Sequence, residues 1–343
     1  MSVESNENST SIAAPTGNLR SMPILLLSVH ENCNCRCVMC DIWKRPAGAE
    51  IDLNGLARHR DSLRSLGVRQ VVLTGGEPLL HSRFVELCQF LRECRVQITL
   101  LTTGLLLTKR ASSVAEWVDQ IIISLDGPEK QHDAIRRVKN GFDLTRKGIA
   151  ALRKSRPDIL IQARSTVQRA NFLFLRETVA AAKSLQFDSI SFLAIDVSSQ
   201  AFNRELVWPR EQQDELALRR AEICALEGEI ESLEKEFSDD FSSGFIVESP
   251  ERLRRIARRF REHLGELPPE APICNAPWFS AVLEVDGSVR PCFFHRTIGN
   301  VKHARLEEVV NSADATQFRR TLDIAQNPIC QRCVCSLNYR DTP

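Results

Sequence analysis

From residue 22 to about 200, short apolar runs alternate with amphipathic helical segments. The runs are PILLLSV (23–29), QVVLT (70–74), QITLLT (97–102), QIIISLD (120–126), DILIQARSTV (158–167) and SISFLAI (189–195). Most are continuous rather than alternating, the pattern of parallel strands buried on both faces. Between them lie segments such as LNGLARHRDSLRSLG, RFVELCQFLREC, LTRKGIAALRKS and LFLRETVAAAKSLQ, whose apolar residues recur at helical spacing. Six strand-and-helix units in order predict an α/β fold with a parallel sheet, curved or barrel-like. In such a fold, functional side chains collect at the C-terminal ends of the strands.

Beyond residue 204 the pattern changes. Leu216, Ile223, Leu226, Ile230, Leu233 and Phe237 follow at intervals of 7, 3, 4, 3 and 4, which predicts a one-faced helix. SPERLRRIARRFREHL repeats the logic with Leu253, Ile256, Phe260 and Leu264. Its arginines at 252, 254, 255, 258, 259 and 261 suit phosphates or an acidic partner, but the apolar stripe already explains the helix, so a solvated basic face is expected. From Pro272 on, SAVLEV and SVRPCFF flank VDGS, a hairpin signal. So small an element with so many cysteines is expected to be held by metal. The expected organisation is a disordered tail (1–21), a barrel (22–204), a helical connector (205–271) and a small metal-bound domain (272–343).

Composition adds the compartment. A formal charge of +1 gives no bulk attraction to nucleic acid or an acidic membrane. The start, MSVESNENSTSIAAPTGN, lacks a basic region followed by an apolar one, and no apolar run approaches the ~20 residues of a bilayer span. A cytoplasmic protein is therefore expected, without a membrane span or nucleic-acid partner. In a reducing cytosol 12 cysteines imply metal or redox chemistry rather than disulfides. Cys33, Cys35, Cys37 and Cys40 cluster near the start, and Cys274, Cys292, Cys330, Cys333 and Cys335 near the end. Cys88, Cys94 and Cys224 stand singly and read as core filler.

The opening group, ENCNCRCVMCDIWK (31–44), admits two readings. Four thiolates close a structural site, whereas three around an iron–sulfur cluster leave one iron open to an exogenous ligand. Spacing alone does not choose between them. After the second strand comes TGGEPLL (74–80), whose glycines permit close backbone approach beside a carboxylate. In a parallel barrel both motifs fall on one rim.

Taken together, Cys33-x3-Cys37-x2-Cys40 after strand one, Gly75-Gly76-Glu77-Pro78 after strand two, TTGLLL (102–107) after strand three, SLDG (124–127) after strand four and QARSTVQRAN (162–171) resemble the radical S-adenosylmethionine (radical SAM) superfamily. The resemblance covers about residues 22–200. It implies a partial (β/α)6 barrel of TIM type, in which Cys33, Cys37 and Cys40 hold a 4Fe-4S cluster while Cys35 stands aside. The amino and carboxylate groups of S-adenosylmethionine would take the fourth iron. By position, Gly75, Gly76 and Glu77 would contact the methionyl amino group, Ser124 and Arg164 the ribose or carboxylate, and Met39 the adenine. Thr103 stands where the third-strand motif more usually has Asn. A low-potential electron, of order −0.7 to −0.4 V, would come from a flavodoxin or ferredoxin and yield a 5′-deoxyadenosyl radical that abstracts hydrogen. Asp41, Trp43 and Lys44 line the substrate cavity or close the loop, and Asp126 reads as a turn former.

Cys274-x12-Gly287-x4-Cys292, then Cys330-x2-Cys333-x-Cys335, resembles the SPASM or shortened twitch domains of the same superfamily. These imply auxiliary clusters. Five cysteines suffice for one, ligated by Cys274, Cys292, Cys330 and Cys333, with Cys335 as alternate fourth ligand. Zinc fits four thiolates equally well on chemistry alone. His295 is a substrate contact or has a cap or surface role. The expected function is hydrogen abstraction from a small molecule, such as a sugar or cyclitol, or from a peptide, with the auxiliary cluster as electron acceptor or substrate anchor. A ribosomal-peptide maturase is the alternative, and a non-catalytic iron–sulfur or zinc-binding electron carrier is the alternative of another class. A winged-helix peptide reader needs on the order of 80 residues, and about 20 precede the first strand; none is expected within the chain.

Overall fold

Each of the six apolar runs forms a strand in the computed structural model, which describes residues 17–45, 48–204 and 206–340. These are β1 (Ile24–His30), β2 (Gln70–Gly75), β3 (Gln97–Thr102), β4 (Gln120–Ser124), β5 (Leu160–Val167) and β6 (Ser189–Ala194). Every strand pairs in parallel with the next, in chain order. Leu25, Leu27, Val71, Leu73, Ile98, Leu100, Ile121, Ile123 and Ile161 are buried completely, as continuous apolar strands covered on both faces require. Helices cover the outer face; Phe84–Glu93 buries Phe84, Leu87, Cys88 and Leu91, so Cys88 is core filler.

The barrel remains open because the other edge of β1 is already taken. β7 (Ser280–Leu283) pairs with β1 in parallel, Ile24 opposite Ser280, and continues antiparallel into β8 (Ser288–Arg290) and β9 (Gly299–Asn300). The result is one nine-stranded sheet, β6-β5-β4-β3-β2-β1-β7-β8-β9. The C-terminal cysteine-rich region is thereby fused to the barrel through β1, the strand that leads into the first thiol group. At the far edge, Ile190 of β6 makes a lone parallel bridge with Ile246.

Two expectations are corrected. Residues 17–21, read as tail, are held against the C-terminal region: Arg319 donates to the Gly17 carbonyl at 2.7 Å, and Leu19 exchanges two hydrogen bonds with the Asn311 side chain. Residues 1–16 lie outside the described residues. The single helix expected from Leu216 to Phe237 is two, Arg210–Leu216 and Arg220–Glu236. The chain breaks where the Leu216 carbonyl accepts from the Arg169 backbone and Glu222 caps the Arg219 N–H at 2.7 Å. Ile223, Leu226, Ile230 and Leu233 are buried as the spacing requires.

The basic stripe on helix Pro250–His263 is largely spent on ion pairs: Arg254 with Glu234, Arg258 with Glu262 and Glu270, Arg259 with Glu262, and Arg261 with Glu227 and Glu266. This is the solvated, salt-bridged face that the apolar stripe suggested. Among the described residues, no helix is long and apolar enough to cross a membrane.

Candidate functional site at the mouth of the barrel

β1 delivers the chain to the C-terminal rim, where the thiol loop begins. The neighbouring strand end is zippered onto it: Gly76 donates to the His30 carbonyl at 2.7 Å and Glu77 to the Asn32 carbonyl at 2.8 Å. Such an approach leaves no room for a side chain at position 76, where a Cβ would lie 2.0 Å from the Asn32 oxygen. Gly75 has φ +121°, a conformation that glycine alone adopts without strain. The glycine pair therefore exists to let the second strand carry the loop.

Glu77 is fully buried. Its carboxylate accepts from Leu79 N (3.1 Å), Thr102 Oγ1 (2.8 Å), Thr103 N (2.7 Å) and Thr103 Oγ1 (2.7 Å). Burial pushes the carboxyl up and these donors pull it back. Both oxygens are thus occupied within the protein. Thr103, where Asn was the commoner expectation, also reaches Asn34 Oδ1 of the thiol loop at 3.0 Å. The third strand is thus tied to both motifs.

The four sulfurs of the loop are not equivalent. Cys33 Sγ accepts from the Cys35 N–H at 3.5 Å, Cys40 Sγ from the Ile42 N–H at 3.4 Å, and Cys37 Sγ from Arg136 Nη1 at 3.6 Å. Each of the three has a fixed N–H donor, the arrangement that suits a metal-bound thiolate. Cys35 differs: it is buried like Cys37, but hydrogen bonding to Cys33 and Cys37 drives its own thiol strongly up. Cys37 is lowered to about 6, first by Cys35 and then, against burial, by Arg136. Burial pushes Cys40 up to about 12, so a metal there would have to displace the proton.

Two buried arginines hold this loop, and neither was singled out in the sequence. Arg136 ends helix Glu129–Arg136, is ion-paired to Asp126 at 2.6 Å, and its carbonyl and that of Ile135 accept from the Arg36 and Val38 N–H groups. Arg204 pairs with Asp196 at 2.7 Å, donates to the Met39 carbonyl at 3.2 Å and lies 3.8 Å over the Trp208 ring. Trp208 in turn donates to Asp41 at 2.8 Å, so Asp41 closes the loop, with Lys44 paired to it at 2.7 Å. Asp126 is more than a turn former: besides Arg136 it accepts from the Thr166 N–H at 2.8 Å.

Ser124, the last residue of β4, stands opposite Arg164 in the middle of β5, and Arg164 donates to Ser191 at 3.2 Å. Met39 is partly buried against the core. Beyond β5, Gln168 is fully buried and neither end of its amide has a partner. An orphaned buried amide at a barrel mouth suits a polar ligand.

At the other end of the sheet, Cys274, Cys292, Cys330 and Cys333 line one small cavity of about 30 Å³, with Phe294 and His295 beside them. Cys274 Sγ accepts from the Ala276 N–H at 3.5 Å, and His295 Nε2 lies 3.3 Å from Cys330 Sγ. His295 is buried rather than at the surface. Cys335 stays outside that lining and is exposed. Among the described residues, no group of three or more His, Cys, Asp or Glu is gathered for a single metal ion. A set of three thiols with N–H donors and a second set that lines one cavity fit iron–sulfur clusters, which take several thiolates.

An open parallel barrel with such thiols at its mouth defines an iron–sulfur protein of α/β type. Residues 27–166 match the Radical SAM superfamily and residues 274–334 the SPASM iron–sulfur cluster-binding domain, so the chain carries both domains. The first implies a 4Fe-4S cluster and S-adenosylmethionine, and the second implies auxiliary iron–sulfur clusters. The chain is 29% identical to an AdoMet-dependent heme synthase of Methanosarcina barkeri over 56% of this chain and 59% of that one. It is 24% identical to the antilisterial bacteriocin subtilosin biosynthesis protein AlbA of Bacillus subtilis, over 87% and 62%. It thus spans about three fifths of the length of these relatives. The fold is similar to that of Streptococcus suis SuiB solved with its precursor peptide SuiA, with TM-score 0.63, 13% identity and coverage of 94% and 73%.

Proposed function

We propose that the chain is a radical SAM enzyme that oxidises a peptide, in the manner of a ribosomal-peptide maturase. The observation that carries this reading is the pairing, on one sheet, of three N–H-donated thiols at the barrel mouth with a second thiol-lined cavity reached through β7. Cys33, Cys37 and Cys40 would hold the first cluster, and Cys274, Cys292, Cys330 and Cys333 one auxiliary cluster, with Cys335 as alternate. When bound and reduced, the first cluster supplies the electron that cleaves S-adenosylmethionine to methionine and a hydrogen-abstracting 5′-deoxyadenosyl radical.

The chain's own residues do the rest. The backbone of Gly75, Gly76 and Glu77 would receive the methionyl amino group, Ser124 and Arg164 the ribose or carboxylate, and Met39 would pack on the adenine. The barrel would keep water from the reacting centre. A cluster held by Cys274, Cys292, Cys330 and Cys333 would supply a one-electron acceptor for the substrate radical, which would also release a proton to solvent, giving net loss of two hydrogens. The electron donor would be a cytoplasmic flavodoxin or ferredoxin.

Similarity to AlbA, and in fold to a protein solved with its precursor peptide, supports a peptide over a sugar or cyclitol. Similarity to a heme synthase supports the small-molecule reading. Co-expression with any short open reading frame found beside its gene, followed by mass spectrometry, decides between them. A peptide lacking hydrogens in pairs is expected. Cofactor cleavage without any peptide product, but with a modified small molecule, would overturn the peptide reading.

A further inference from the structure

The thiol loop contains one sulfur whose hydrogen-bond donor is a cation. Cys33 and Cys40 are each served by a neighbouring backbone N–H, but Cys37 is served by Arg136, 99 positions along the chain. That guanidinium is nearly buried and its partner Asp126 is wholly so. Burying both charges costs several kcal/mol unless the geometry uses them. Here the geometry does: Asp126 is fixed on the Thr166 N–H of β5 at 2.8 Å, it holds Arg136 at 2.6 Å, and Arg136 faces Cys37 Sγ at 3.6 Å.

We propose that Arg136 is a positioning residue that tunes the S-adenosylmethionine-binding cluster through Cys37, and that Asp126 sets how much of its charge the cluster feels. The inference rests on the reading of Cys37 as a cluster ligand. A carboxylate that orients the donor to a metal ligand is a recurrent way of adjusting a site. Hydrogen bonds to the sulfurs and local net charge are among the determinants of an iron–sulfur reduction potential. A cation beside a thiolate favours the reduced, more negative cluster. Arg136 therefore raises the potential, and Asp126 partly offsets the rise. The SLDG turn thus links the loop after β4 to the redox behaviour of the loop after β1.

The test is a redox titration of the anaerobically reconstituted full chain, followed by electron paramagnetic resonance. The first cluster is recognised as the signal that S-adenosylmethionine perturbs. In Arg136→Gln its midpoint is expected to fall by at least a tenfold change in the one-electron equilibrium, or about 59 mV. In Asp126→Asn, which keeps an acceptor for Thr166, it is expected to rise. Opposite shifts at unchanged iron content are not what simple damage to the loop produces. If Arg136→Gln fails to take up iron, the Asp126→Asn arm decides alone. Midpoints equal to the unsubstituted protein's, or shifts of the same sign, would overturn the proposal. Absence of any cofactor-sensitive signal in the unsubstituted protein would instead overturn the underlying ligand reading.

Discussion

Replacing Glu77 should unfasten three parts of the barrel mouth at once. Its carboxylate is the common acceptor for Leu79 N, Thr102 Oγ1, Thr103 N and Thr103 Oγ1. In Glu77→Ala the two hydroxyls can turn toward other acceptors, but the two backbone N–H groups stay where the strand end puts them. An unpaired buried donor costs about 1–3 kcal/mol, and the vacated volume adds to that. The expected loss is about 3–6 kcal/mol, a large share of the ~5–15 kcal/mol that a domain has. Glu77→Gln keeps one carbonyl oxygen and sheds the cost of burying a charge, so its loss should be smaller, about 1–2 kcal/mol. Urea unfolding of the cluster-free protein, followed by circular dichroism, reads both values from the midpoint at constant slope. A Glu77→Ala protein within about 1 kcal/mol of the parent would refute the view that this carboxylate is a structural hub.

Three further outcomes follow from the same geometry. Cys35→Ala should keep the first cluster and cofactor cleavage, whereas Cys33→Ala, Cys37→Ala and Cys40→Ala lose both; iron per chain and 5′-deoxyadenosine formed are the readouts. Gly76→Ala places a Cβ 2.0 Å from the Asn32 carbonyl, so the loop must shift; a destabilisation of about 1–3 kcal/mol is expected, with at least tenfold slower cleavage. His132 is held neutral, its pKa lowered from 6.5 to about 3 by burial and then by Arg136. The unfolded chain binds the extra proton first, so its contribution is intact above pH 6.5 and is lost as pH falls toward about 3. The slope is about 1.4 kcal/mol per pH unit. In His132→Asn that part of the acid sensitivity should vanish from a pH series of unfolding curves; an unchanged slope would contradict it.

The parallel barrel was legible because its strands are continuous apolar runs, and burial on both faces leaves few other structures for them. The glycine pair and Glu77 were visible as a motif, but not their work, which depends on carbonyls of residues 30 and 32 that only strand pairing brings close. Thr103 looked like a departure and proves to tie two motifs, its hydroxyl lying within hydrogen-bond distance of both Glu77 and Asn34. Arg136 and Arg204 were invisible for a physical reason. Arginines in a helix end and a loop read as solvent-facing, and nothing local announces that Asp126 and Asp196 will bury them. The break after Leu216 was missed because the apolar period runs on through it, while the break is made by a tertiary bond from Arg169. The fusion of the C-terminal hairpin to β1 could not be read from an Asp-Gly turn, which predicts the hairpin but not its partner.

The central claim is that three thiols at the barrel mouth hold a cluster able to cleave S-adenosylmethionine. It is tested most directly by reducing the iron-loaded protein anaerobically in the presence of the cofactor and measuring 5′-deoxyadenosine. Two four-iron clusters, about eight irons per chain, and 5′-deoxyadenosine that disappears in Cys37→Ala are the predicted result. Fully iron-loaded, reduced protein that leaves S-adenosylmethionine intact would contradict it.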